Sequence, residues 1–123
     1  MIVWSGVLLM AYGFHITRGE FWAEDPAPVT FDEAVQAIRD LPDFSVDPEG
    51  KVQTVNPRSG QTLTMMLGKC IVYRDTVRIA FNAGAPAFAV RDTAELPPFL
   101  ELAERLGAQV QGDEGEVYTK DDI

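Results

Sequence analysis

Apolar and polar residues alternate over residues 12–18: Tyr12, Phe14 and Ile16 fall on one side, Gly13, His15 and Thr17 on the other. Period two marks a strand with one buried face, so the histidine of this strand is expected to point away from the core. Residues 19–29 lose the alternation. They mix Glu20, Glu24, Asp25, Pro26 and Pro28 with Phe21 and Trp22, which reads as a loop whose two aromatics fold back onto the core. At Thr30 the period becomes helical. Phe31, Ala34, Val35, Ile38 and Leu41 share one face, with Asp32, Gln36, Arg39 and Asp40 opposite. Thr30 and Glu33 have the spacing of a capping box, and Pro42 stops the helix.

The middle of the chain is patterned as short strands divided by turn residues. Residues 43–46 lead into Asp47-Pro48-Glu49-Gly50, a turn by composition. Residues 52–55 follow, then a turn over 56–60, then strands over 62–67 and 69–73 divided by Gly68. Arg74-Asp75 turns into residues 77–81, where Val77, Ile79 and Phe81 alternate with Arg78, Ala80 and Asn82 and one face should be solvated. Another short strand is expected over 87–90. A second helix is predicted from Pro97 to Leu106, with prolines in its first turn, an apolar stripe of Phe99, Leu102, Ala103 and Leu106, and Gly107 as its cap. Residues 109–118 read as a hairpin about Gly112-Asp113-Glu114-Gly115, and residues 120–123 as a frayed end. The predicted fold is α+β: a mostly antiparallel β-sheet with two helices packed on one face, in a single domain over 10–123.

Composition changes this picture in three ways. The 123 residues suit one core. Nineteen acids against ten bases give a net charge of −9, and the bases are scattered from Arg18 to Lys120, so nucleic acid is excluded as an expected partner. An acidic surface instead favours fast association with a basic protein. Cys70 is the only cysteine, which rules out an intrachain disulfide and a thiolate metal cluster and suits a reducing cytoplasm. It lies in the apolar run 70–73, where a buried, inert thiol is expected. Residues 1–14 carry no charge, but they lack the basic start of a signal peptide, and the Ser5-Gly6 break and short length argue against a membrane span. Met10 is expected to be the natural start, with 1–9 a non-native or flexible extension; an intact mass that includes 1–9 would refute this.

No catalytic constellation stands out, and no cofactor or metal is implied. His15 is the sole histidine, so a two-histidine metal site is impossible. Gly68-Lys69 lacks the glycine spacing of a phosphate loop, and Asp43, Asp47 and Glu49 lack calcium-loop spacing. With nineteen acids a carboxylate pair for glycoside hydrolysis is conceivable, but the spacing singles none out. Asp113, Glu114 and Glu116 place three carboxylates on one turn. They read as solvated turn residues, as a weak cation site, or as an acidic knob offered to a basic partner. Trp4 and Trp22 are interface candidates by residue type, though core or loop packing is the commoner role.

Two segments carry a resemblance. The run Tyr12-Gly13-Phe14-His15-Ile16-Thr17-Arg18, followed by Trp22 and Val29-Thr30-Phe31-Asp32-Glu33, resembles the N-terminus of a family of small acidic bacterial proteins of uncharacterised activity. The close Leu106-Gly107-Ala108-Gln109-Val110-Gln111-Gly112-Asp113-Glu114-Gly115-Glu116-Val117-Tyr118 is similar to the family's ending. In the middle the chain departs: the family often carries a central-strand tryptophan where this chain has Tyr73 and Phe81. The family is similar in size, acidity and layout to immunity proteins, an analogy of type and not of motif. The resemblance implies a shared surface at His15, Arg18, Trp22, Asp113, Glu114 and Glu116, or else a structural pairing of the first strand with the C-terminal hairpin. The expected function is therefore non-catalytic protein binding, as a cytoplasmic immunity protein that neutralises a basic toxin. An adaptor or regulatory module is the alternative, followed by a small-ligand binder or an enzyme using carboxylates.

Overall fold

A computed structural model describes residues 13–81 and 84–122 of the chain. Tyr12, Met10, Trp4 and the 1–9 segment, on which several sequence expectations fall, lie outside the described residues. The elements are β1 (Gly13–Thr17), α1 (Phe31–Ala37), β2 (Phe44–Asp47), β3 (Lys51–Val55), β4 (Thr62–Met66), β5 (Cys70–Tyr73), β6 (Val77–Ala80), β7 (Ala87–Ala89), α2 (Pro97–Arg105), β8 (Gln109–Gly112) and β9 (Val117–Tyr118). Seven strands form one antiparallel sheet in the order β2-β5-β6-β7-β1-β8-β9, and β3 pairs only with β4. Both helices lie on one face of the large sheet, so the α+β architecture is as the patterning predicts.

The core forms where the apolar positions of both periods meet. Phe14, Ile16, Ile71, Ile79, Phe88 and Val110 of the sheet bury against Ala34 of α1 and its C-cap Ile38, and against Phe99 and Leu102 of α2 and its C-cap Leu106. Phe99 stacks on Phe88 with ring centroids 4.4 Å apart and meets Phe44 and Tyr73 edge-on. Tyr73 and Phe81, the residues of the region where the family often has tryptophan, are both partly buried against this core.

Local signals set the helix ends. The Thr30 hydroxyl accepts from the Glu33 backbone N–H while the Glu33 carboxylate accepts from the Thr30 N–H, closing the capping box. The helical period runs to Leu41, but the α-helix stops at Ala37 and tightens into turns, with Leu41 N–H donating to the Ile38 carbonyl at 2.9 Å. At the end of α2, Gly107 has φ +64° and the Gly107 and Ala108 N–H groups return to the Glu104 and Ala103 carbonyls, a Schellman cap. A second capping box, Asp92 with Glu95, opens a 3-10 turn over Thr93–Glu95 that the pattern of apolar residues does not signal. The C-terminal residues Lys120–Asp122 form a further 3-10 turn rather than the frayed end expected there.

The middle strands differ from the expectation. The 47–50 segment is not a reversal. Phe44 to Asp47 pair with Tyr73 to Cys70, and the same register resumes from Lys51 opposite Met66 to Val55 opposite Thr62. β2–β3 and β4–β5 are thus one two-stranded ribbon, kinked where Gly50 (φ +60°) faces Gly68 (φ +74°). The Leu67 N–H donates to the Gly50 carbonyl across the kink at 2.8 Å. A Cβ on Gly50 would overlap the Gly68 carbonyl oxygen, which is why turn-type residues sit there without making a turn.

Candidate functional site

β1 turns a row of polar side chains away from the helices, and the loop over residues 19–29 crosses that face as a strap. His15, Thr17 and Gln111 are buried beneath it, and their side chains bond into the strap or into the β8–β9 turn. A buried polar group without a partner is costly, so these bonds fix where the strap lies. The Gln111 amide accepts from the Trp22 backbone N–H and donates to the Glu20 carbonyl, both at 2.9 Å. The Thr17 hydroxyl donates to Asp25 at 2.7 Å, and Asp25 also accepts from the backbone N–H groups of Arg18 and Ala27. Burial acts to raise the Asp25 carboxyl. The Thr17 hydroxyl and the backbone donors of Ala27, Arg18 and Gly19 outweigh it and hold the group below its ordinary value.

His15 sits at the centre of this face. The Trp22 indole stacks on it with centroids 3.6 Å apart and planes 4° from parallel. Its Nε2 lies 2.9 Å from Asp113 Oδ1, and the other Asp113 oxygen accepts from the Gly13 N–H at 2.9 Å. The Trp22 indole N–H donates to the Asp113 backbone carbonyl at 3.2 Å. These bonds assign the Nε2–H tautomer to the neutral ring, with Nδ1 buried and unpartnered. Asp113 thereby ties the first strand to the β8–β9 turn, and a side chain at Gly13 would collide with it.

The six residues singled out by sequence do not form one surface. His15, Trp22 and Asp113 converge into this clasp. Glu114 and Glu116 flank it on the same turn, where a Glu116 carboxylate oxygen accepts from the Glu114 backbone N–H at 3.2 Å. Arg18 is elsewhere: one residue past the histidine's side of the alternation, its guanidinium turns toward the helices. There it donates to the Leu106 carbonyl at the end of α2 at 3.0 Å and forks onto the Glu33 carboxylate at the start of α1. The Arg18 fork, with the Thr30 N–H, holds the Glu33 carboxyl down to about 2. Arg18 joins the two helix ends.

Sequence reasoning missed Thr17, Asp25 and Gln111. The signal was the polar parity of positions 13, 15, 17, 109 and 111, which without knowledge of the strap reads as a solvated face. It also expected both loop aromatics on the core; Trp22 instead folds onto the opposite face, and Phe21 is 38% exposed.

The outer rim of the clasp is what a partner would meet. Phe21 packs beside Trp22 (centroids 5.5 Å) and against Gly115. Val117 is the register partner of Gln111 and so shares its side of the sheet, 45% exposed. Glu20 and Glu24 on the strap and Asp113, Glu114 and Glu116 on the β8–β9 turn are all exposed residues. An open groove of about 400 Å³ runs along the other side of the turn, between Glu114, Glu116 and Tyr118 and the Arg91–Thr93 segment.

Cys70 is buried, donates to the Gly68 carbonyl, and has its thiol pushed up by burial and by Asp47. Among the described residues no three His, Cys, Asp or Glu side chains are grouped to hold a metal ion, and no helix is long and apolar enough to cross a membrane. Comparisons with protein-family models, with curated proteins and with solved structures each found no match to this chain.

Proposed function

We propose that the chain is a non-catalytic protein-binding domain whose acidic, aromatic rim at the β8–β9 end receives a basic protein, in the manner of an immunity protein that covers a toxin. The observation that carries this is the state of the candidate residues. The histidine, tryptophan and aspartate with the most chemistry to offer are spent on one another beneath the strap. What they leave outward are the exposed acidic residues of the strap and the β8–β9 turn, together with the exposed Phe21 and Val117.

Such a surface suits binding. Carboxylates steer a basic partner inward and favour its approach, while a small aromatic centre supplies the area that holds it. The chain's −9 charge acts in the same direction. The protective form of this function has a direct test. The basic partner recovered with this chain, expressed alone, is expected to arrest growth of the host cell, and co-expression of the chain to restore it. A partner that is harmless alone would replace protection with an adaptor role.

A further inference from the structure

The β3–β4 half of the kinked ribbon has a chemistry opposite to that of the body carrying it. Residues 50–74 hold four of the ten bases and none of the nineteen acids. Two of the four bases are engaged: Lys69 lies over the Phe31 ring and Arg74 pairs with Asp43. Lys51 and Arg58, beyond the kink, are within ion-pair distance of no carboxylate among the described residues.

The same arm is apolar where a solvated hairpin should not be. Of the seven large apolar side chains that stand exposed among the described residues, five are on this ribbon: Val46, Val55, Leu63, Met65 and Met66. In the shared register Val46, Val52, Leu63 and Met65 keep the side-chain parity of Phe44, Ile71 and Tyr73, which the helices cover at the ribbon's base. Past the kink no residue of β3 or β4 is buried, and Val52, Leu63 and Met65 share one face of that pair. Contiguous exposed apolar surface of this kind marks a binding face.

We infer that the arm is a self-association element that docks on the acidic body of a second copy of this chain. Charge selects the occupant. Two arms laid face to face would oppose like charges, whereas an arm carrying Lys51 and Arg58 on a body with a net charge of −11 meets the opposite sign, and that body is present at whatever concentration the arm is. Reciprocal docking, each arm on the other copy's body, closes a two-fold dimer. Anionic lipid and nucleic acid would attract the arm but repel the body. The arm itself lies away from the basic-partner rim, because it extends β2 and β5 at one end of the sheet and β9 lies at the other.

Sedimentation velocity of the full chain over a concentration series, at low and at high salt, tests this. A concentration-dependent dimer is expected at low salt, weakening as salt screens the contact. Lys51→Glu with Arg58→Glu is expected to weaken it roughly tenfold or more, and Leu63→Ser with Met65→Ser to abolish it. Arg39→Glu with Arg91→Glu, an equal charge change at two bases off the arm, is expected to leave the dimer in place. A chain that stays monomeric throughout would overturn the inference. So would an arm variant that dimerises as well as the Arg39/Arg91 control, or a monomer that co-sediments with phosphatidylserine vesicles through its arm.

Discussion

Asp113 does more for the fold than its exposed position on a turn suggests. Its side chain is about half exposed, yet its two oxygens satisfy the Gly13 N–H and the buried His15 ring. Removing the acceptor leaves a buried donor unpaired, a defect that costs on the order of 1–3 kcal/mol. Asp113→Ala is thus expected to lower stability by about 2 kcal/mol in urea unfolding; a loss within about 0.5 kcal/mol would mean the clasp is slack. Glu33 yields a pH signature. Its folded value is depressed from an ordinary 4.5 to about 2, so its contribution is complete above 4.5 and is lost as pH falls toward about 2. The urea midpoint of the natural chain should fall through that window, and the deficit of Glu33→Gln against it should shrink to nothing at the acid end. A deficit that stays constant with pH would remove the Arg18–Glu33 fork as its cause. Both residues were visible in the sequence, but the partners of Asp113 and the Arg18 fork on Glu33 were not. His15 and Arg18 stand three residues apart in one motif, and only strand parity, together with a strap bonded by Thr17 and Gln111, sends them to opposite faces.

Among the elements, those defined by local chemistry were legible and those defined by pairing were not. The Thr30–Glu33 box, the prolines opening α2 and Gly107 closing it act within one turn of chain, and each occurs where its spacing places it. Strand order depends on partners as far apart as Phe14 and Gly112, which no local pattern encodes. Asp47-Pro48-Glu49-Gly50 shows how composition misleads. The Asp47 carboxylate accepts from the Gly50 and Glu49 N–H groups as in a turn, yet the chain runs on because Leu67-Gly68-Lys69 opposes it in register. Gly50→Ala tests the kink. It combines a positive φ with overlap on the Gly68 carbonyl, so it should cost about 2 kcal/mol or more, whereas Gly107→Ala, with open space around its Cβ position, should cost about 1 kcal/mol. Equal losses in urea unfolding would show that the ribbon tolerates a wider kink.

At the scale of the molecule, one sheet separates two chemistries. The β9 end presents exposed carboxylates with Phe21 and Val117, and the ribbon beyond β2 and β5 presents Lys51 and Arg58, unpaired among the described residues, with valine, leucine and methionine. The overall acidity was plain in the composition. Its division was not, because the basic stretch is dilute along the sequence and becomes an arm only once the ribbon register is known. The central claim is that the acidic rim binds a basic protein. The measurement that bears on it most directly is recovery from the native host of what co-purifies with the C-terminally tagged chain and with its Glu114→Lys, Glu116→Lys variant, at low and moderate salt, with circular dichroism checking that the variant is folded. A stoichiometric basic partner is expected with the natural chain, released as salt rises and missing from the variant. Recovery of no partner, or of the same partner in equal amount by the charge-reversed chain, would contradict the claim.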